Sequence, residues 1–125
     1  LGADGVWMGT RFIATPESGV VEGHRMMIPT EGMDNIIASA AMNGVPAHWM
    51  RSSVEAVGLD PKSLPNVRSD MPEGVMPWRD IWSAGQSVGL IDAVEPVADL
   101  VERLATEFKS LPNLPDWRAR LTQLT

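Results

Sequence analysis

The chain has 125 residues, of which ten are basic and sixteen acidic, giving a formal net charge of −6, and it contains no cysteine. Disulfides, thiolate nucleophiles and cysteine-ligated metals are therefore excluded within it, and nucleic acid is not an expected partner, because covering phosphates requires clustered Lys and Arg. No apolar run approaches the ~20 residues needed to cross a bilayer, and no charged-then-apolar signal pattern opens the chain, so no membrane partner is expected and the cytoplasm is the expected compartment.

The first predicted element is Gly5-Val6-Trp7-Met8-Gly9, a short apolar run bounded by turn residues that reads as a buried parallel strand. Leu1-Gly2-Ala3-Asp4 before it reads as a helix end running into that strand, as though the chain starts inside a fold. Thr10 to Thr15 is expected to continue extended. Ser18 is placed to cap a helix from about Val20 to Met27, which Pro29 stops.

Ile36-Ile37-Ala38 is read as a strand and Asn43-Gly44-Val45-Pro46 as a turn. A short helix from Trp49 or Arg51 to Val57 follows, with Gly58 where a left-handed residue commonly ends a helix. Lys62 to Pro77, rich in Pro and Gly, is expected to be a surface loop. Ser83-Ala84-Gly85-Gln86-Ser87-Val88-Gly89 is a small-residue run that lets backbone approach something closely.

The clearest helix runs from Pro96 to about Phe108, with Val97, Leu100, Val101, Leu104 and Phe108 on one face and Glu102, Arg103 and Glu107 on the other. Pro96 suits its first turn because its missing N–H would be unpaired there anyway. Leu111 to Pro115 breaks the helix, and Asp116 to Leu124 is read as a last short one. Arg118 and Arg120, the closest basic grouping, sit in that polar tail and read as a solvated face.

Two stretches carry chemistry. In Gly2-Ala3-Asp4-Gly5-Val6-Trp7-Met8-Gly9-Thr10, a glycine after an apolar strand lets main-chain N–H groups point at an anion, and Thr10 adds a hydroxyl. That pattern suits phosphate at the C-terminal end of a barrel strand, although taken alone it is more often an ordinary turn. In the second stretch, Ser83 to Gly89, tight packing of a loop is the plainer explanation. His24 and His48 are the titratable side chains suited to neutral-pH base chemistry, but neither has a partner at triad or ligand spacing, and both read as surface or polar-packing residues. Met26-Met27, Trp49-Met50 and Trp82 are placed like core or interface residues.

The string from Leu1 to Ser18, LGADGVWMGTRFIATPES, resembles the last-barrel-strand signature of nitronate monooxygenases and their flavin oxidoreductase relatives. The resemblance resumes at Gly44-Val45-Pro46-Ala47, at Ala56-Val57-Gly58-Leu59-Asp60-Pro61 and at Ile81 to Ile91. It then runs through the Pro96 helix to Phe108, and is poorest between Lys62 and Pro77. It implies an FMN enzyme whose flavin phosphate is held by the turn Trp7, Met8, Gly9 and Thr10, mainly through the backbone of Gly9 and Thr10. Trp7 stands where many relatives carry Gln, which bears on side-chain polarity more than on a main-chain contact.

The same resemblance makes Gln86 and Ser87 candidates for lining the substrate cavity and puts the catalytic base upstream of these residues. A complete eight-stranded (β/α) barrel takes ~250 residues, so the expected fold is α/β, a C-terminal fragment of such a barrel. Residues 1–110 would belong to the FMN-binding domain and residues 111–125 to a tail. The implied activity is oxidation of alkyl nitronates with O2 through reduced flavin. The alternative within the fold is an NAD(P)H-dependent flavin reductase of quinones, enones or enoyl thioesters. A non-catalytic interaction domain, in which Val6 to Met8 would be paired and buried, is the alternative of another class.

Overall fold

The structure is a computed structural model that describes residues 5–111. The expected helix at Asp116 to Leu124, nearly all of the tail and the lead Leu1 to Asp4 lie outside those residues. Among the described residues there are four helices, α1 (Thr10–Ile13), α2 (Glu22–Met27), α3 (Arg51–Ala56) and α4 (Val97–Ser110), and two strands, β1 (Ile36–Ser39) and β2 (Ala47–Met50). Short 3₁₀ turns at Met33–Asn35 and Gln86–Leu90 complete the elements.

The strands form an antiparallel hairpin in which Ile36 faces Met50 and Ile37 faces Trp49. Because successive strand side chains point to opposite faces, this register feeds two separate cores. Ile36 and Met50 join Ala14, Ile28, Ala84, Val88 and Ile91. Ile37 and Trp49 join Ala41, Met42, Val54 and Ile81. A slip of one residue would exchange the two sets.

The expected turn closes this hairpin. Gly44 has φ +87°, a conformation that glycine reaches without steric cost, and the Asn43 side chain accepts the Val45 N–H at 3.0 Å. Gly58, at φ +82°, ends α3 as its position predicts. The stretch from Lys62 to Pro77 contains no regular helix or strand, as expected of a loop, yet Leu64, Met71 and Val75 pack against the second core. The Ser69 N–H also bonds to the Ala41 carbonyl at 2.9 Å, so the loop forms one side of that core.

The first expected strand is not formed. Gly5 to Met8 has no regular structure, Val6 is 72% exposed and Trp7 fully so. A strand requires a neighbour for its N–H and C=O groups, and among the described residues none is paired with this segment. The expected extended stretch from Thr10 is likewise helical over Thr10–Ile13. Ser18 does not cap α2, which starts from Val21; its hydroxyl oxygen instead accepts the Val20 N–H at 3.4 Å.

Long-range bonds explain the conformation around α1. Arg11 donates to the Ala93 carbonyl at 2.9 Å and pairs with Glu95, while the Glu95 N–H bonds to the Ala14 carbonyl at 3.3 Å. Glu17 accepts the Val97 N–H at 3.1 Å, placing a carboxylate at the positive end of α4. Local propensity is outweighed by these contacts between the two ends of the described chain. The apolar face predicted for α4 is only partly covered: Leu100 is buried, whereas Val101 and Phe108 are exposed.

Candidate functional site

The two stretches singled out for chemistry meet in space. The Gly85 N–H donates to Thr10 Oγ1 at 2.8 Å, joining positions seventy-five residues apart. Glycine suits this approach, because a Cβ there would lie 3.2 Å from the same hydroxyl oxygen and Thr10 would have to give by a few tenths of an ångström. Its φ of −78° is open to any residue, so the fit is a matter of space alone.

Thr10 uses its oxygen as the acceptor, which leaves the hydroxyl proton free to donate. Gly9 has αR backbone angles (φ −86°, ψ −61°), and no atom lies within 4 Å of where its Cβ would stand. The main chain at Gly9 is thus accessible; the Gly9 carbonyl accepts the Phe12 N–H at 3.0 Å, and the Thr10 and Arg11 N–H groups at the start of α1 have no backbone partner among the described residues. The Thr10 and Arg11 N–H groups and the Thr10 hydroxyl are donors, which is the chemistry a phosphate dianion needs. The FMN phosphate therefore fits the residues present.

Arg11, the nearest cation, is committed elsewhere. Its guanidinium pairs with Glu95, which also accepts Arg103 at 2.6 Å. Hydrogen bonds from Arg103 and then Arg11 hold the Glu95 carboxyl below the usual carboxylate range. A cleft of about 340 Å³ beside α1, lined by Arg11, Ile91, Asp92, Glu95 and Arg103 among others, is consequently close to charge-balanced. Any anion at the Gly9 turn would be held by main-chain dipoles rather than by that guanidinium.

Of the other predicted site residues, Gln86 and Ser87 are exposed on the 3₁₀ turn that follows Gly85, next to Thr10. Val88 in the same turn is fully buried and anchors it to the first core. Gly89 lies against Met33, whose Cβ is 3.3 Å from where an added one would stand. Trp7 and Met8 are not gathered with these groups and have exposed side chains.

His24, which spacing could not connect to anything, proves to be part of the support for this loop. It is 7% exposed, and its Nε2–H donates to the Ser83 carbonyl at 3.0 Å. Its ring stacks on Trp82 with centroids 5.5 Å apart and planes 10° from parallel. His24 and Ser83 lie fifty-nine residues apart in the chain, so periodicity carries no signal of the contact. His48 is exposed.

Burial pushes the His24 pKa down from 6.5, and the bond to Ser83 offsets only part of that. The folded state therefore binds fewer protons than the unfolded state between the lowered pKa and 6.5, so stability falls with decreasing pH across that window. A His24→Gln variant is expected to lose this component. Denaturation midpoints measured between about pH 7 and about pH 5 should show a shallower acid slope for the variant, and equal slopes would sink the assignment.

The family model for nitronate monooxygenase matches residues 1–107. The chain belongs to the nitronate monooxygenase family. A nitronate monooxygenase from Paraburkholderia phytofirmans (strain DSM 17436 / LMG 22146 / PsJN) is 30% identical, with 87% of this chain and 33% of that protein covered. Among solved structures, FabK from Thermotoga maritima is 29% identical with a TM-score of 0.55, covering 82% of this chain and 36% of that one. A single-substitution mutant of the same FabK is also 29% identical, with a TM-score of 0.58 over 86% of this chain and 34% of that one. The chain thus spans about a third of the length of the relatives it matches. The described residues form a small α/β unit that corresponds to that part of FabK. No described helix is long and apolar enough to cross a membrane, and the described residues hold no cluster of metal-ligating side chains.

Proposed function

We propose that this chain forms the C-terminal part of an FMN-dependent (β/α)-barrel oxidoreductase that oxidises alkyl nitronates with O2, in which Gly9 and Thr10 hold the flavin phosphate. The observation that supports the reading is the Gly85–Thr10 hydrogen bond, which sets the Gly9-Thr10 turn beside the exposed Gln86 and Ser87. Family membership supports the flavin and the small-molecule substrate. When bound, FMN supplies the electron transfer, and the protein's contribution is to bind and orient. The backbone at Gly9 and Thr10 would fix the phosphate end, with Trp7 and Met8 leading the chain into that turn. Gln86 and Ser87 would face the substrate, and the base would come from residues outside this chain.

Exposure of Val6, Trp7 and Met8 supports a segment that packs against further structure, as a barrel strand would. A self-sufficient interaction domain would have buried it. The acidic balance favours no nucleic-acid partner, and the cytoplasm is the proposed location.

Steady-state turnover by the full-length enzyme tests the reaction. Oxygen consumption on an alkyl nitronate, without added nicotinamide, is expected. Turnover of NAD(P)H with a quinone, enone or enoyl thioester instead would establish the flavin-reductase alternative. A Thr10→Val variant tests the site: it keeps the side-chain shape but removes both the donor proton and the acceptor for Gly85. Loss of one hydrogen bond to a charged group, roughly 1.5–3 kcal/mol, should weaken FMN binding about tenfold to a hundredfold in an equilibrium titration. Unchanged FMN affinity would remove Thr10 from the phosphate site.

A further inference from the structure

We propose that His24 is a positioning residue for the substrate-facing loop, holding the Ser83 carbonyl so that Gly85 remains bonded to Thr10 and Gln86 and Ser87 keep their place. This role rests on the flavin-oxidoreductase reading and adds to it a residue outside both chemical stretches. His24 lies on α2, beyond the turn and the loop, and touches neither Gln86 nor Ser87 through any hydrogen bond among the described residues. Its influence runs through the peptide that leads into the loop.

The segment Trp82-Ser83 is clamped from two sides. On one side the Trp82 N–H donates to Ser53 Oγ at 2.9 Å, and the Trp82 carbonyl accepts the Met50 N–H at 2.8 Å. On the other, His24 stacks on the Trp82 ring and donates to the carbonyl of the next residue. The first pair fixes where the segment sits. The His24 bond fixes which way the Ser83–Ala84 peptide plane faces.

That orientation matters two residues later. The Gly85 N–H that bonds to Thr10 Oγ1 at 2.8 Å belongs to the peptide next after Ser83–Ala84, so rotation of the Ser83–Ala84 plane would turn that N–H away from Thr10. A phenyl ring could fill the space against Trp82 equally well. Filling it with an imidazole instead requires a buried N–H to be satisfied, and Ser83 satisfies it.

The test uses the full-length, FMN-loaded enzyme. His24→Phe keeps the ring and the stack but removes the donor, whereas His24→Gln places an amide nitrogen near the Nε2 position and keeps the donor. His24→Asn, whose nitrogen stops short of Ser83, serves as a second donor-deficient variant should the phenylalanine variant fail to accumulate. The Phe and Asn variants should raise KM roughly tenfold for whichever substrate the enzyme turns over, the size of one hydrogen bond's worth of misplacement, with kcat within about twofold. They should also alter the visible circular dichroism of the bound flavin, and Gln should restore both readings. Because the effect runs through Thr10, His24→Phe should add little further rise in KM to the Thr10→Val enzyme. Lowered thermal stability with unchanged KM and flavin dichroism would overturn the proposal, as would a Gln variant as impaired as Phe. A wild-type enzyme that binds no FMN would overturn the flavin reading and this role together, whereas a flavin-replete enzyme indifferent to His24 overturns this role alone.

Discussion

Trp49→Ala is expected to lower the stability of the protein by about 3–5 kcal/mol, the usual cost of emptying a large aromatic site in a core. Trp49 is completely buried at the centre of the second core, among Ala41, Met42, Val54 and Ile81. Its indole N–H donates to the Ser39 carbonyl at 3.1 Å, across the hairpin it belongs to, and its ring lies 5.3 Å from that of Trp78. Alanine would leave a cavity, strand a buried carbonyl and remove the support under Trp78, which itself holds a positive φ of 63°. α3, which follows β2 directly, and the loop from Lys62 to Pro77, held at the Ala41 carbonyl by Ser69, are anchored at different points around this core and cannot both close on the space. Chemical denaturation of wild type and variant measures the difference, and a loss under about 1 kcal/mol would show that this core collapses freely.

Gly23→Ala should destabilise as well, against the trend for an exposed helix position. In α2 alone the exchange would gain about 1 kcal/mol from helix propensity. A Cβ at residue 23, however, would stand 2.6 Å from Cη2 of Trp82. The indole could yield only if it were free, and it is held by its N–H bond to the Arg79 carbonyl at 3.0 Å and by the His24 stack. Overpacking of this kind costs roughly 1–3 kcal/mol, so the balance is a net loss. Near-ultraviolet circular dichroism should report a displaced Trp82 in the variant. An alanine variant more stable than wild type would mean that the indole moves aside cheaply.

Features governed by one or two neighbouring residues are legible in the sequence. Gly58 ends α3, Asn43-Gly44 closes a turn, and Pro96 precedes α4, because backbone freedom at those positions is a property of the residue itself. β2 is not legible, because Ala47-His48-Trp49-Met50 offers neither β-branched residues nor a clean alternation; its two faces both look onto cores. Thr10 to Ile13 reads as extended for the converse reason: Thr, Phe and Ile favour strand, and only the bonds to Gly85, Ala93 and Glu95 decide otherwise. Val6 to Met8 has strand composition without a strand's partner among the described residues. Thr10 and the Ser83 to Gly89 run are each visible, but that they touch is not, and His24 carries no pattern at all.

The same long-range ties bear on how the chain folds as it is made. The stretch from Thr10 to Glu17 finds its partners at Gly85, Ala93, Glu95 and Val97. At a synthesis rate of about 5–20 residues per second, those partners follow on the order of 4–16 s later. During that interval α1, a single turn too short to persist in water, has nothing to hold it, while the hairpin at β1 and β2 can already close. Folding of this region is therefore expected to begin in the middle and to finish by capture of its early segment, which makes the growing chain, rather than the finished one, the stage most open to chaperones and proteases.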